Sequence, residues 1–239
     1  MTESAPAPTP TGAGRQLPLD LGHRPALGQD DFLVAASNSD AVSWIDRWPA
    51  WPGHALAIHG PPGCGKTHLA HVWQAASGAR RISASALTAE ELPNLALAGA
   101  AVVVEDGDIA LNKGALNETA LLHLFNMLKE QDGSLLLTGR EPPSRWRLGL
   151  RDLGSRLAAV TAVEVRLPDD AFLAALVVKL FHDRQLQIEP DVVAYLVPRI
   201  ERSFDAARAV VERIDREALA ERRRVTVPFI RGLIGDSAP

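Results

Sequence analysis

The sequence predicts an α/β fold in which a parallel sheet is flanked by helices and followed by a small helical domain. Strand and helix signals alternate as far as residue 167, which is typical of a parallel sheet with covering helices. The apolar runs at residues 100–104 and 134–138 lack polar alternation, as expected for strands buried on both faces. From residue 169 onward only helical patterns follow.

The remaining strands and helices are predicted from shorter apolar and polar patterns. Further predicted strands lie at residues 54–59, 81–83 and 160–167, and predicted helices at 67–76, 117–131, 169–184, 189–199, 204–220 and 225–233. Asn38 or Ser39 is expected to cap an additional helix near the start. We therefore divide the chain into a disordered arm (residues 1–22), an α/β nucleotide-binding domain (23–167) and a helical lid domain (168–239).

Bulk composition limits the functions to consider. The net charge of −4 gives no overall basic field that would attract nucleic acid. A single cysteine, Cys64, fits a reducing compartment, and no apolar run reaches the ~20 residues that span a bilayer. The N-terminus lacks the features of a secretory signal, so we expect a cytoplasmic protein without a membrane partner.

One sequence motif predicts a phosphate-binding loop. A stretch between a predicted strand and helix matches G-x-x-x-x-G-K-[ST] in full: Gly60, Pro61, Pro62, Gly63, Cys64, Gly65, Lys66 and Thr67. Its glycines let backbone N–H groups turn toward phosphate oxygens, and the helix N-terminus adds positive potential. We expect Lys66 to contact the β- and γ-phosphates, Thr67 to hold Mg²⁺, and His68 to lie beside the nucleotide.

Two acidic residues end the apolar run at residues 100–104. Glu105 and Asp106 resemble a Walker B element, in which one carboxylate holds Mg²⁺ and the other orients water. The first position usually carries Asp, and Glu105 is longer by one methylene, so we do not expect fast hydrolysis. The simpler alternative is that two acids merely end a strand.

Several other residues have a structural interpretation that we favour. Nothing marks a resolving partner for Cys64, so we do not expect a redox role. His59, His68 and His71 lack a carboxylate–histidine motif and are not expected to bind metal. The tryptophans of the first helix and its turn are expected to pack in the core: Trp44, Trp48 and Trp51.

Further segments resemble the DnaA/Hda family of AAA+ proteins over about residues 16–234. Leu-Leu-Leu-Thr-Gly-Arg at residues 135–140 resembles the family's sensor 1 strand. Residues 152–157 resemble the segment that bears its arginine finger, and residues 32–38 the segment that frames the adenine. Residues 225–230 resemble the closing segment of its Hda members. The resemblance implies a P-loop AAA+ module with a helical lid.

The resemblance also implies two interaction sites. It assigns the arginine finger to Arg156, acting in trans on ATP bound by DnaA, although Arg156 could instead only pair with Asp152 four residues earlier. It assigns docking on the sliding clamp of the replicative polymerase to a short peptide with Gln16, Leu17, Leu19 and Leu21. The alternative is that these leucines form a first strand packed on the module.

Two departures from the family pattern argue against strong turnover. Arg140 replaces the Asp or Asn that ends the sensor 1 strand, and Asp205 stands where a sensor 2 arginine is usual. Arg202 or Arg208 could replace that arginine. The resemblance thus implies bound ADP or ATP, with Mg²⁺, that organises the protein more than it feeds hydrolysis.

The function expected from these features is regulatory. The protein would dock on the clamp and stimulate hydrolysis of DnaA-bound ATP, reaching DNA only through the clamp; a homodimer is left open. The alternatives are an autonomous AAA+ ATPase, a DnaA-like initiation or loading factor, and an adaptor that only tethers. No helix-turn-helix domain follows the lid, which disfavours the initiator. Residues 222–224, all Arg, either contact DNA or form a solvated helix end.

Overall fold

The computed structural model describes residues 33–235 and contains a parallel sheet of five strands in that range. The strand order is β2-β3-β4-β1-β5, and every neighbouring pair is parallel. The strands are β1 (Ala55–His59), β2 (Arg80–Ser83), β3 (Ala101–Glu105), β4 (Ser134–Gly139) and β5 (Thr161–Glu164). The register aligns His59 with Gly139 and Glu164, so the loops after β1 and β4 leave the same edge side by side.

Helices cover both faces of this sheet. They are α1 (Ser39–Asp46), α2 (Lys66–Ser77), α3 (Leu92–Leu95), α4 (Gly107–Asn112), α5 (Glu118–Glu130) and α6 (Arg151–Ala158). On one face α1 and α2 pack against the sheet, with Trp73 fully buried. On the other, α5 and α6 bury Leu121 and Leu153. The fold is therefore the predicted α/β class, with helices on both sides of a parallel sheet.

The lid forms its own apolar core. Its helices are α7 (Asp170–Asp183), α8 (Pro190–Leu196), α9 (Phe204–Glu221) and α10 (Val227–Ile234). Side chains cap two of them, since Asp169 Oδ1 accepts from Phe172 N at 2.8 Å and Ser203 Oγ accepts from Ala206 N at 3.1 Å. Ser203 lies against Gly63 of the phosphate loop, so the cap at the start of α9 helps to position the lid over that loop.

The structure corrects the expected role of Asn38. Its side chain makes no capping bond to α1. Instead Asn38 Oδ1 accepts from Ala35 N at 2.8 Å, and Nδ2 donates to Leu33 O at 3.0 Å. Leu33 packs with the lid core. Asn38 therefore holds the preceding segment against the lid, because its amide can bond both a donor and an acceptor of that segment.

Most elements lie within one or two residues of the predicted bounds, with a few exceptions. The strand predicted at residues 160–167 is shorter in the structure, where β5 covers Thr161–Glu164, and the helices α3, α4 and α6 were not predicted. The tryptophans pack as expected: Trp51 stacks on Trp73 with ring centroids 5.3 Å apart. None of the helices within residues 33–235 is long and apolar enough to cross a membrane.

Candidate nucleotide-binding site

The phosphate loop joins the end of β1 to the start of α2. Gly63 and Gly65 have φ of 72° and 103°, conformations that L side chains rarely adopt. A Cβ added at Gly63 would lie 2.4 Å from Ser203 Cβ in the lid. Phe204 N donates to Gly63 O at 2.9 Å. Glycine is thus needed both for the turn and for the close approach of the lid.

Lys66 lies inside this loop. Its side chain is buried, and Nζ donates to Gly60 O and Pro61 O, both at 2.8 Å. No side chain caps α2, so the amides of its first turn remain available to an anion. A buried ammonium group beside free helix amides is suited to phosphate oxygens.

A cavity of about 490 Å³ lies between the loop and the lid, within the range of roughly 300–1,000 Å³ usual for ligand sites. Of the predicted site residues it is lined by Pro62, Gly63, Gly65, Lys66, Thr67, His68 and Asp106. Gly60 and Pro61 line a neighbouring cavity of about 430 Å³. Cys64 belongs to the loop, and its side chain is buried. The structure therefore brings most of the predicted nucleotide-binding residues together.

The side chains of the two acids at the end of β3 lie in different places. Glu105 is held by Arg81, with Oε2 2.6 Å from Nη2, and it does not line the cavity. Asp106 has a φ of 59° and lines the cavity, and its backbone N donates to Thr138 Oγ1 at 3.2 Å. The structure thus places Thr67 and Asp106 around one cavity but leaves Glu105 outside it. The structure therefore does not bring Thr67 and Glu105 to one cavity, and the Mg²⁺ site stays a prediction.

Asp108 contributes to the site although no motif in the sequence marks it. Its carboxylate is buried and accepts three backbone amides: Ile109 N at 2.9 Å, Arg140 N at 2.9 Å and Glu141 N at 3.1 Å. These bonds tie the turn after β4 to the start of α4, and Arg140 lines the cavity. By these bonds Asp108 fixes the backbone of Arg140, the residue at the sensor 1 position.

Two arginines, Arg202 and Arg208, could replace the usual sensor 2 arginine, and the structure places them differently. Asp205 and Arg208 both line the cavity. Arg202 precedes α9 and pairs with Asp170, with Nε 2.9 Å from Oδ1, on an exposed surface. Arg208 is therefore the arginine that the structure places near the phosphate loop.

Burial changes the titration of three groups near the loop. Burial lowers the pKa of His71, and the charge of Arg81 lowers it further. Burial also lowers the pKa of His59. The pKa of the Cys64 thiol is raised by burial, which keeps it protonated and unreactive. Among residues 33–235 no group of three or more His, Cys, Asp or Glu side chains is arranged to hold a metal ion.

Arg156 lies on α6, away from the cavity of its own chain. Its side chain is 35% exposed, and Nε is 3.1 Å from Asp152 Oδ1. The alternative ion pair with Asp152 is therefore present. It is an exposed i,i+4 pair of the kind that contributes little to stability, so it does not fix the guanidinium in place.

Two other predictions concern the chain ends. Arginines near the end of α9 have local partners: Arg216 pairs with Glu212 at 3.4 Å and Arg223 with Glu221 at 3.0 Å, as expected for a solvated helix end. The clamp-binding peptide with Gln16, Leu17, Leu19 and Leu21 lies outside the described residues. It stays a prediction.

The fold is similar to that of several solved AAA+ structures. Domain III of the Thermotoga maritima replication initiation protein DnaA matches with a TM-score of 0.71 at 17% identity, covering 90% of this chain and 98% of that one. AMPPCP-bound DnaA from Aquifex aeolicus matches at 0.61 and 19% identity, covering 80% and 68%. The Thermotoga maritima RuvB Holliday junction branch migration motor matches at 0.60 and 18% identity, covering 75% and 60%.

A sequence-family match identifies the C-terminal helices. Residues 169–234 match the family described as Hda, lid domain. This range contains all four helices α7 to α10 and both lid residues that close on the phosphate loop, Ser203 and Phe204. The parallel sheet with its phosphate loop thus has the AAA+ fold of these DnaA structures, and the helices that follow it match the Hda lid-domain family.

Proposed function

We propose that this protein regulates DNA replication by binding adenine nucleotide, docking on the sliding clamp and stimulating hydrolysis of ATP bound to DnaA. One observation carries the proposal: a phosphate-loop cavity lies under an Hda-type lid, while Arg156 lies on a separate, partly exposed surface. The cavity suits the chain's own nucleotide, and an arginine outside it suits a nucleotide held by a neighbour.

Adenine nucleotide as ligand is supported by the DnaA structures of the same fold, which hold AMPPCP. In this chain the polyphosphate would lie against Lys66 and the first amides of α2, with Arg140 and Arg208 beside it. When bound, Mg²⁺ would neutralise part of the charge on the phosphates. Thr67 is the hydroxyl suited to hold it, with Asp106 on the opposite wall of the cavity.

Weak turnover by the isolated protein is part of the proposal. Glu105 is engaged by Arg81, so Asp106 is the single Walker B carboxylate that lines the cavity among the described residues. Arg140 stands at the sensor 1 position, where a short polar side chain would orient water. A site with these features is better suited to retain nucleotide than to cleave it.

Arg156 would act on the γ-phosphate of ATP in DnaA. An arginine supplied in trans is worth roughly 10³- to 10⁵-fold in phosphoryl transfer. The exposed pair with Asp152 contributes only about 0–1 kcal/mol, so the guanidinium can turn toward a partner at little cost.

Docking on the clamp would bring the two proteins together on DNA. The Gln16 side chain and three leucines offer one hydrogen-bonding anchor and an apolar set for a pocket on the clamp. DNA is contacted only through the clamp, and a second copy of the chain is a further candidate partner. The single cysteine fits a cytoplasmic location.

A reconstituted hydrolysis assay tests this function. The protein is mixed with clamp-loaded DNA and ATP-bound DnaA, and ATP hydrolysis is followed for the wild type and three variants. Arg156→Ala should abolish the stimulation, while Arg151→Ala, which removes an exposed arginine of the same helix, should leave it unchanged. Gln16→Ala should lose the part of the stimulation that depends on the clamp.

Other results would favour the rival functions. Equal stimulation by wild type and Arg156→Ala would mean that the protein is only an adaptor. Rapid hydrolysis by the isolated chain, abolished by Lys66→Ala, would make it an autonomous ATPase. Salt-dependent binding to origin DNA without the clamp would support an initiation or loading factor.

A further inference from the structure

We infer that Arg81 holds Glu105 away from the nucleotide, so that this cavity binds adenine nucleotide without needing Mg²⁺. The inference rests on the proposed nucleotide site and concerns how that site is regulated. Arg81 acts as a positioning residue, because it touches Glu105 rather than the ligand. The contact joins two strands of the sheet: Arg81 belongs to β2 and Glu105 ends β3.

The register between β2 and β3 places Arg81 and Glu105 near each other. Arg81 lies opposite Val103, and Glu105 follows Val103 by two residues, so both side chains leave the same face of adjacent strands. The two long side chains span this diagonal, since Arg81 donates a hydrogen bond to Glu105. The extra methylene of Glu105, compared with Asp, helps its carboxylate to reach across to β2.

The ion pair is short and largely shielded. Arg81 Nη2 lies 2.6 Å from Glu105 Oε2, and the side chains are only 26% and 17% exposed. Charge-assisted bonds of this length are among the stronger hydrogen bonds in proteins. Arg81 Nε is buried and has no hydrogen-bond partner among the described residues, so Glu105 is the group that balances this guanidinium.

The chain turns sharply directly after this pair. Asp106 has a left-handed φ of 59°, and it lines the cavity that Glu105 does not reach. Only one of the two carboxylates therefore faces a ligand. A metal ion in the cavity would lack the second carboxylate that the sequence leads one to expect.

Cations of the protein are placed to take over the role of the metal. Lys66, Arg140 and Arg208 line the cavity from the loop, the sheet edge and the lid. A fourth cation, Lys179, is held by Asp183 at 2.6 Å. Asp106 and Asp205 also line the cavity, so the three cations leave one net positive charge, to which the first-turn amides of α2 add positive potential toward a polyphosphate.

Calorimetry with the full chain tests the inference. ADP and AMPPCP are titrated in excess Mg²⁺ and in EDTA, into the wild type and four variants. For the wild type, replacing Mg²⁺ by EDTA should change the Kd by less than about threefold. A tenfold change in Kd would correspond to about 1.4 kcal/mol of binding free energy. Arg81→Met frees Glu105, so its binding of AMPPCP should become at least about tenfold tighter in Mg²⁺ than in EDTA.

The remaining variants separate positioning from a merely structural effect. Arg81→Lys keeps a cation near Glu105 and should restore metal independence. Arg80→Met is the matched control, because Arg80 is the exposed neighbour on the same strand and should behave as the wild type. Adding Glu105→Gln to Arg81→Met should remove the acquired Mg²⁺ dependence.

The outcomes distinguish this inference from the proposed function. If the wild type binds nucleotide in Mg²⁺ and loses it in EDTA, the inference is overturned while the nucleotide site stands. If Arg81→Met binds like the wild type in both buffers, Arg81 has no positioning role. If neither nucleotide binds in either buffer, the proposed nucleotide site itself is wrong. Should Arg81→Met fail to fold, the same comparison is made with Arg81→Gln.

Discussion

Replacing Asp108 by Ala removes the carboxylate that connects the sensor 1 turn to α4. Three backbone amides lose their acceptor: those of Ile109, Arg140 and Glu141, now bonded at 2.9–3.1 Å. An unsatisfied buried donor costs about 1–3 kcal/mol. Because water can reach Arg140 and Glu141, which are exposed, we use the lower value for each amide, which totals about 3 kcal/mol.

Urea and thermal unfolding measure this loss directly. For a chain of this size about 3 kcal/mol corresponds to a fall in Tm of about 6–12 °C. Asp108→Asn keeps one acceptor oxygen and should lose less. The control is Asp152→Ala, which removes a carboxylate that is 58% exposed and should cost less than about 0.5 kcal/mol. A loss below about 1 kcal/mol for Asp108→Ala would refute the role given to these bonds.

Three further changes test other parts of the structure. Gly63→Ala combines a φ of 72° with a 2.4 Å approach to Ser203, so it should weaken ADP binding, measured by calorimetry, far more than Gly53→Ala, which meets nothing within 4 Å. Ser203→Ala removes the cap of α9 and should lower the free energy of unfolding by about 1 kcal/mol in urea titrations; no change would refute the cap. Burial lowers the pKa of His54 from 6.5, so the unfolded chain binds its proton first as the pH falls. The free energy of unfolding should therefore decrease below about pH 6.5, and His54→Phe should flatten that dependence; an unchanged slope would contradict it.

Local sequence signals predicted the parts of the site that depend on neighbouring residues. The phosphate loop is such a case, because its glycines, Lys66 and Thr67 lie together in one turn between a strand and a helix. The continuous apolar runs of β3 and β4 likewise required only the composition of five or six residues. These features need no knowledge of the tertiary structure.

Contacts between distant segments could not be predicted in the same way. Asp108 binds amides that lie more than thirty residues later in the chain, at 140 and 141, and Glu105 is turned by Arg81 from the preceding strand. Arg208 is an intermediate case. Since α9 begins at Phe204, the spacing of Asp205 and Arg208 places both on one helix face, and helical periodicity could have favoured Arg208 over Arg202.

Titration of ADP into the wild type and into Lys66→Ala, followed by calorimetry and by the melting temperature, tests the central claim most directly. If nucleotide is held where β1 meets α2 under the lid, the wild type should take up ADP. At a free ADP concentration of 100 Kd it should then gain about 2.7 kcal/mol of stability. Lys66→Ala should show neither effect. Absence of binding by the wild type, or equal binding by Lys66→Ala, would contradict the account.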